Sequence, residues 1–387
     1  MGAGWMMKRG MLAVCLAILI GAGCGIVAAQ WMMAQAAEPA VAEAEPEDAL
    51  TEQVEEIVAA MTPEEKIGQM MMAGLVGTEL DEAVQELLTE RHIGGIVLYD
   101  VNMRSTAQVR MLTADLQAMV DGPVPLFIAV DEEGGRVVRM RKGITPPPAQ
   151  EEVAATGKPE EATRWALATG QALKAIGINV NFAPVADLGP EKRGRAYSAD
   201  PEVCAQFLRA AAAGYEQAGE LYTLKHFPGL GKSRVDTHVD TDQVTASHAV
   251  LAAEDFAPFR AVMASQLPEN FLVMVSHLHY AALDEKYPAS LSHAVITDVL
   301  RGELGWKGLV ITDDLGMGAV RKYYDDAEAG VQAVLAGADI VLIAHGYEHQ
   351  AAMYDGLLQA YEDGRLSEER IDESVRRIVR VKLAHLQ

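Results

Sequence analysis

Cysteine is nearly missing from this chain of 387 residues: there are three, and Cys15 and Cys24 both fall in an apolar N-terminal stretch. Cys204 is left alone in the body, where no disulfide framework can be built around it, and it reads as a buried, inert thiol. Positive charge is scarce as well. Against 55 acidic residues stand 32 lysines and arginines, a formal net charge of -23 that repels a phosphate backbone, so nucleic acid is not an expected partner. No His/Cys/Asp ligand spacing is evident, no low-complexity tract lies outside one acidic spacer, and no metal or other cofactor is expected.

Half of the residues are hydrophobic and 34 are glycine, which suits a packed core joined by tight turns and argues against disorder. The length fits one (β/α)8 barrel, typically about 250 residues before insertions, plus a leader. Lys8 and Arg9 precede the apolar run from Met11 to Ala29, and Ala34-Gln35-Ala36 follows as a small-x-small cleavage site. Residues 1–36 therefore read as a signal peptide or membrane anchor, 37–49 as an acidic linker and 50–387 as the folded barrel domain. Lipidation at Cys24 is a third route, against which Gly21 stands where leucine is expected. Each route implies an exported body, whether secreted, periplasmic or held at the cell envelope.

Beyond the linker, eight apolar runs of strand length alternate with stretches of helical period, the pattern of a parallel sheet with crossover helices. The runs are Ile67–Leu75, Ile93–Tyr99, Leu126–Val130, Ile178–Pro184, Leu221–His226, Phe271–His277, Leu309–Thr312 and Ile340–Ala344. Eight is the number that closes a TIM-type barrel. Helices are expected between them, among them Ala246–Ala264 and Ala294–Leu304, with Leu50–Met61 opening the domain and Ser367–Leu386 closing it.

In such a barrel the chemistry sits at the C-terminal ends of strands, and charged residues gather there in this sequence. Asp131-Glu132-Glu133 follows the third run, Asp187 the fourth, Lys225-His226 ends the fifth and Asp313-Asp314 follows the seventh. The carboxylates of the third run suit hydrogen bonds from sugar hydroxyls, since an ionised acid only accepts. Asp313-Asp314 suits a carboxylate nucleophile best, with a helix N-cap or a metal ligand as the alternatives. The segment from Lys225 to His238 holds a Gly/Pro-rich turn and an Asp-x-His pair. Its glycines suit a loop that closes over substrate, and Asp236 is placed to fix the tautomer of His238 as a proton shuttle, although a surface turn with an incidental contact reads as well.

Together these motifs resemble the β-N-acetylglucosaminidases of glycoside hydrolase family 3, from about Leu50 to Gln387. The carriers are Asp131-Glu132-Glu133-Gly134-Gly135-Arg136-Val137, Asn181-Phe182-Ala183-Pro184-Val185-Ala186-Asp187, Lys225–His238, Pro288-Ala289-Ser290-Leu291-Ser292 and Ile311-Thr312-Asp313-Asp314-Leu315-Gly316-Met317. The resemblance implies a retaining hydrolase that releases terminal β-linked N-acetylglucosamine from peptidoglycan fragments or chitooligosaccharides through a covalent glycosyl-enzyme. It implies Asp313 as nucleophile, His238 as acid/base with Asp236 as its partner, and Asp131, Arg139, Arg195, Lys225 and His226 as sugar contacts. Leu230, Lys232 and Arg195-Ala196-Tyr197 depart from the branch's usual His, Asp and Arg-Ser-Phe, which bears on the surroundings of the Asp–His pair. A β-N-acetylglucosaminide phosphorylase and an exported, non-catalytic saccharide-binding barrel are the alternatives.

Overall fold

Each apolar run pairs in parallel with the next, and the computed structural model, which describes residues 46–189, 194–233 and 242–386, arranges them in a ring. The strands in chain order are β1 (Met71–Gly74), β2 (Gly95–Leu98), β3 (Phe127–Val130), β4 (Val180–Asn181), β5 (Leu221–Phe227), β6 (Gln243–Val244), β7 (Phe271–Val275), β8 (His279–Tyr280), β9 (Leu309–Thr312) and β10 (Val341–Ile343). Eight of them run β10-β1-β2-β3-β4-β5-β7-β9, and a single parallel bridge between Ile311 and Ile340 completes the circle. β6 and β8 form a separate short pair beside it. The barrel strands are buried along their length, which is why they read as unbroken apolar runs rather than alternating ones.

Residues Leu50–Gln387 pack as one unit, with helices flanking the barrel. The expected leader, and the linker as far as Glu45, lie outside the described residues. Among the described residues no helix is long and apolar enough to cross a membrane. Cys204 is buried in the helix Pro201–Ala218, and burial pushes its thiol up to about 12.

Three expected elements differ. Ile67 belongs to a helix, Pro63–Gln69, because Thr62 and Glu65 satisfy each other's backbone N–H in a capping box and Pro63 occupies the first turn; the strand starts only at Met71. The fourth run pairs over two residues alone, since Pro184 brings no N–H to the ladder, and contact resumes at the Val185–Lys225 bridge. The span Ala246–Ala264 is two helices, His248–Ala253 and Phe256–Met263, with Pro258 in the first turn of the second, where no N–H is missed.

Opposite the chemistry, the barrel base holds one carboxyl without support. Glu220 precedes β5, is buried, and neither of its carboxyl oxygens has a hydrogen-bond partner among the described residues. Burial raises its pKa well above the usual value, and Lys174 offsets this only in part. A group raised in the folded state costs stability as pH climbs past its unfolded value of about 4.3. Glu220→Met is therefore expected to raise the Tm clearly at pH 8 and much less near pH 4.5, with a gain of roughly 1–3 kcal/mol at the higher pH. Equal gains at both values, read by thermal melts, would count against an unsupported acid.

Candidate active site

The charged strand ends meet in one cleft of about 570 Å³ at the C-terminal mouth of the barrel. Five charges alternate in sign across it. Lys225, fully buried in β5, donates to Asp131 Oδ1 and lies against Glu133 Oε1, both at 2.6 Å. Asp131 Oδ2 accepts from Arg139 at 3.2 Å, and Arg195 grips both oxygens of Glu133 at 2.7 and 2.8 Å. Burial alone would raise the Glu133 carboxyl, but Lys225 and Arg195 outweigh it and hold it well below the usual range. Burial likewise works against the Lys225 ammonium, and Asp131 and Glu133 turn the balance upward. Both groups stay ionised in a setting where an uncompensated charge would be costly.

The main chain after β3 makes this possible. Gly134 and Gly135 have φ of 103° and 58°, and a Cβ on Gly134 would fall 2.3 Å from the Pro148 carbonyl. The turn pairs Gly134 with Val137 and returns Arg139 over Asp131. Glu132 points the other way: its Oε2 accepts from the backbone N–H of Arg139 and Met140, at 2.9 and 3.1 Å, so it holds the returning segment. Burial pushes the Glu132 carboxyl up to about 7.

Asp187 fixes the neighbouring histidine. Its Oδ2 lies 2.9 Å from His226 Nδ1, while Oδ1 takes the backbone N–H of His226 and of Leu230. A carboxylate only accepts, so Nδ1 carries the proton, and His226 lines the cleft.

Asp313 follows β9, and its backbone N–H donates to the Val275 carbonyl on β7. It lines the cleft with one oxygen accepting from the Asp314 amide. Burial raises its pKa, but His226, His277, the Asp314 amide and Lys225 together bring it below the ordinary value, so it is an anion at neutral pH. Asp314 is turned aside, because its Oδ1 accepts from Gly316 and Ala344 and ties the loop to the end of β10. Of the paired acids only Asp313 is free for chemistry. Buried His277 supports this loop: Nε2 donates to the Asp314 carbonyl, Nδ1 lies 2.7 Å from Ser290 Oγ, and burial lowers its pKa. Among the described residues, no group of three or more His, Cys, Asp or Glu side chains is placed to share a metal ion.

The glycines after His226 serve close packing. A Cβ on Gly231 would fall 2.1 Å from the Leu188 carbonyl, and Gly229 has a φ of 134°, with a Cβ there coming 3.1 Å from the Asp255 side chain. Lys232 is ion-paired with Glu254 and Asp255 at 2.7 and 2.5 Å. Leu230 lines the cleft.

A model described as "Glycosyl hydrolase family 3 N terminal domain" matches residues 62–381. The chain belongs to glycosyl hydrolase family 3. It is 38% identical over 286 residues to a beta-hexosaminidase of Stenotrophomonas maltophilia (strain K279a), covering 71% of this chain and 83% of that protein. It is 32% identical over 334 residues to beta-hexosaminidase A of Pseudoalteromonas piscicida, covering 79% of this chain but 56% of that one. Its fold is similar to that of a glycoside hydrolase family 3 beta-N-acetylglucosaminidase from Paenibacillus sp. str. FPU-7, with a TM-score of 0.81, 41% identity, and coverage of 84% of this chain and 63% of the other. The family 3 chain thus spans 56% and 63% of the length of two of these relatives.

Within this family 3 barrel, Asp131, Arg139, Arg195, Lys225, His226 and Asp313 come together in the one cleft. Asp236 and His238 lie outside the described residues. Sequence reasoning read Glu133 only as one of three acids suited to sugar hydroxyls, whereas it links Lys225 to Arg195, and it gave no role to Asp187 and His277, which orient the residues that line the cleft. Each sits in or beside a quoted motif or at a strand end, and that adjacency was the only signal for them.

Proposed function

We propose that this chain is a retaining β-N-acetylhexosaminidase that removes terminal β-linked N-acetylglucosamine, as the names of its family 3 relatives suggest. The observation that carries the reading is an ionised Asp313, freed of loop duties by Asp314, facing the ion-paired floor Asp131–Lys225–Glu133–Arg195 across one cleft. In the first step an Asp313 oxygen forms a bond to the anomeric carbon, and the bond from that carbon to the leaving oxygen breaks as His238 supplies its proton. In the second, His238 takes a proton from water, the water oxygen joins the anomeric carbon, and Asp313 departs as the carboxylate. Two displacements leave the β configuration unchanged. A histidine backed by Asp236 serves as acid and base because its ordinary pKa, about 6.5, is near working pH.

Asp131, Arg139, Arg195, Lys225 and His226 hold the sugar beside the scissile bond. Their donors and acceptors are already fixed by one another, so binding requires little rearrangement. The leader supports a further part of the proposal, that the chain acts outside the cytoplasm on peptidoglycan fragments or chitooligosaccharides, cut free or tethered. N-terminal sequencing of the mature protein checks it, with Ala37 as the expected first residue after cleavage.

Incubation with an aryl β-N-acetylglucosaminide is expected to give free sugar, first as the β anomer by NMR, at a rate indifferent to phosphate. A sugar 1-phosphate that appears only with phosphate would replace hydrolysis by phosphorolysis. His238→Ala is expected to lower kcat on chitobiose by about 10²–10⁴-fold and on a dinitrophenyl glycoside far less, because the better leaving group departs without a proton. Equal losses on the two substrates would remove His238 from the proton-transfer role.

A further inference from the structure

Tyr99 stands one residue beyond β2, where the apolar strand opens into the cleft, and three elements fix it there. Its backbone N–H donates to Asn102 Oδ1 at 2.8 Å, and Asn102 Nδ2 in turn holds the Leu75 and Gly77 carbonyls, which locks the loops after β1 and β2 together. One aromatic neighbour of the ring is His345, beyond β10, with centroids 5.0 Å apart. The guanidinium of Arg139 lies over the ring at 5.2 Å. A phenylalanine would fill these contacts equally well. What tyrosine adds is one hydroxyl in a cleft shared with Asp131, Asp313 and Asp314, and among the described residues no protein group accepts a hydrogen bond from it.

We propose that the Tyr99 hydroxyl is a sugar contact of its own, donating to a substrate hydroxyl that in turn donates to a carboxylate of the cleft. A sugar hydroxyl is suited to this place because it accepts and donates at once, whereas the phenol and the carboxylates it shares the cleft with are not hydrogen-bonded to each other. Burial, reinforced by the negative charges of Asp131, Asp314 and Asp313, raises the phenol's pKa well above its usual value, so it keeps its proton at every working pH. The hydroxyl thereby reads substrate polarity at a position that the charges of the sequence motifs do not cover.

This inference rests on the glycosidase reading of the cleft, and the test separates the two. Wild type and Tyr99→Phe are compared on an aryl β-N-acetylglucosaminide and on its 3-, 4- and 6-deoxy analogues, with thermal melts to confirm the fold. Loss of one substrate hydrogen bond predicts a fall in kcat/KM of about 5- to 20-fold on the parent sugar. On one deoxy analogue the two proteins should then be equal, because the partner of the phenol is already gone. A Tyr99→Phe variant within twofold of wild type on the parent overturns the proposal. So does an equal loss on all four substrates, which would mean that the ring had merely shifted. A wild type inactive on every one of them would instead overturn the glycosidase reading.

Discussion

Asp313→Ala is expected to abolish useful turnover, with kcat on an aryl β-N-acetylglucosaminide reduced on the order of 10⁴-fold or more, the scale on which loss of a covalent nucleophile acts. The melting temperature should change little by comparison. The backbone N–H that anchors Asp313 to Val275 survives the substitution, and the loop is held by Asp314 and His277 rather than by Asp313. Added azide should restore part of the rate by attacking the anomeric carbon from the vacated side, and its product should be the α-glycosyl azide, readable by NMR. Activity within tenfold of wild type would sink the assignment, as would a rescued product of β configuration.

Lys225→Met should be nearly as damaging, and to the fold as well as to the chemistry. The ammonium sits between Asp131 and Glu133 at 2.6 Å from each, so its removal leaves two carboxylates facing one another in a buried place. Breaking a buried ion pair by removing one partner costs about 3–5 kcal/mol, and kcat/KM should fall by about 10²-fold or more as the sugar-facing groups lose their order. The sign of the pH dependence follows from the repulsion. With Lys225 gone, one of the two carboxyls has its pKa raised above the unfolded value, so the variant is least stable at high pH and regains stability as pH falls and that group takes a proton. Melting curves should therefore converge with wild type toward about pH 4 to 5 and diverge above about pH 7. A deficit that is constant over this range would show that Lys225 acts through packing alone.

The sequence disclosed the eight-strand count because a parallel barrel buries both faces of every strand, and each strand then stands out as an apolar run between turns. Its errors came where that signal is ambiguous. Ile67 through Met70 is apolar enough to read as strand, yet Thr62-Pro63-Glu64-Glu65 carries the capping box that starts a helix instead. In the cleft, Asp131, Lys225 and Asp313 were legible as charges at strand ends. The roles of Glu133 and Asp187 were not, since they depend on partners 62 and 39 residues away, Arg195 and His226, and local sequence holds no trace of such pairing. Tyr99 was hidden for a different reason, because an aromatic residue closing an apolar run looks like core.

The closure of the ring has one more consequence. β9 carries Asp313 but meets β10 through a single bridge, and the Asp314 tie runs to Ala344, just past that last strand. Asp313 therefore hangs on the seam of the circle, and its perch is finished only when the segment from Val341 onward arrives. A chain made from its N-terminus onward therefore has Asp131, Arg139, Arg195, Lys225 and His226 in hand before Asp313, and all of them before the strand that closes the ring around that carboxylate.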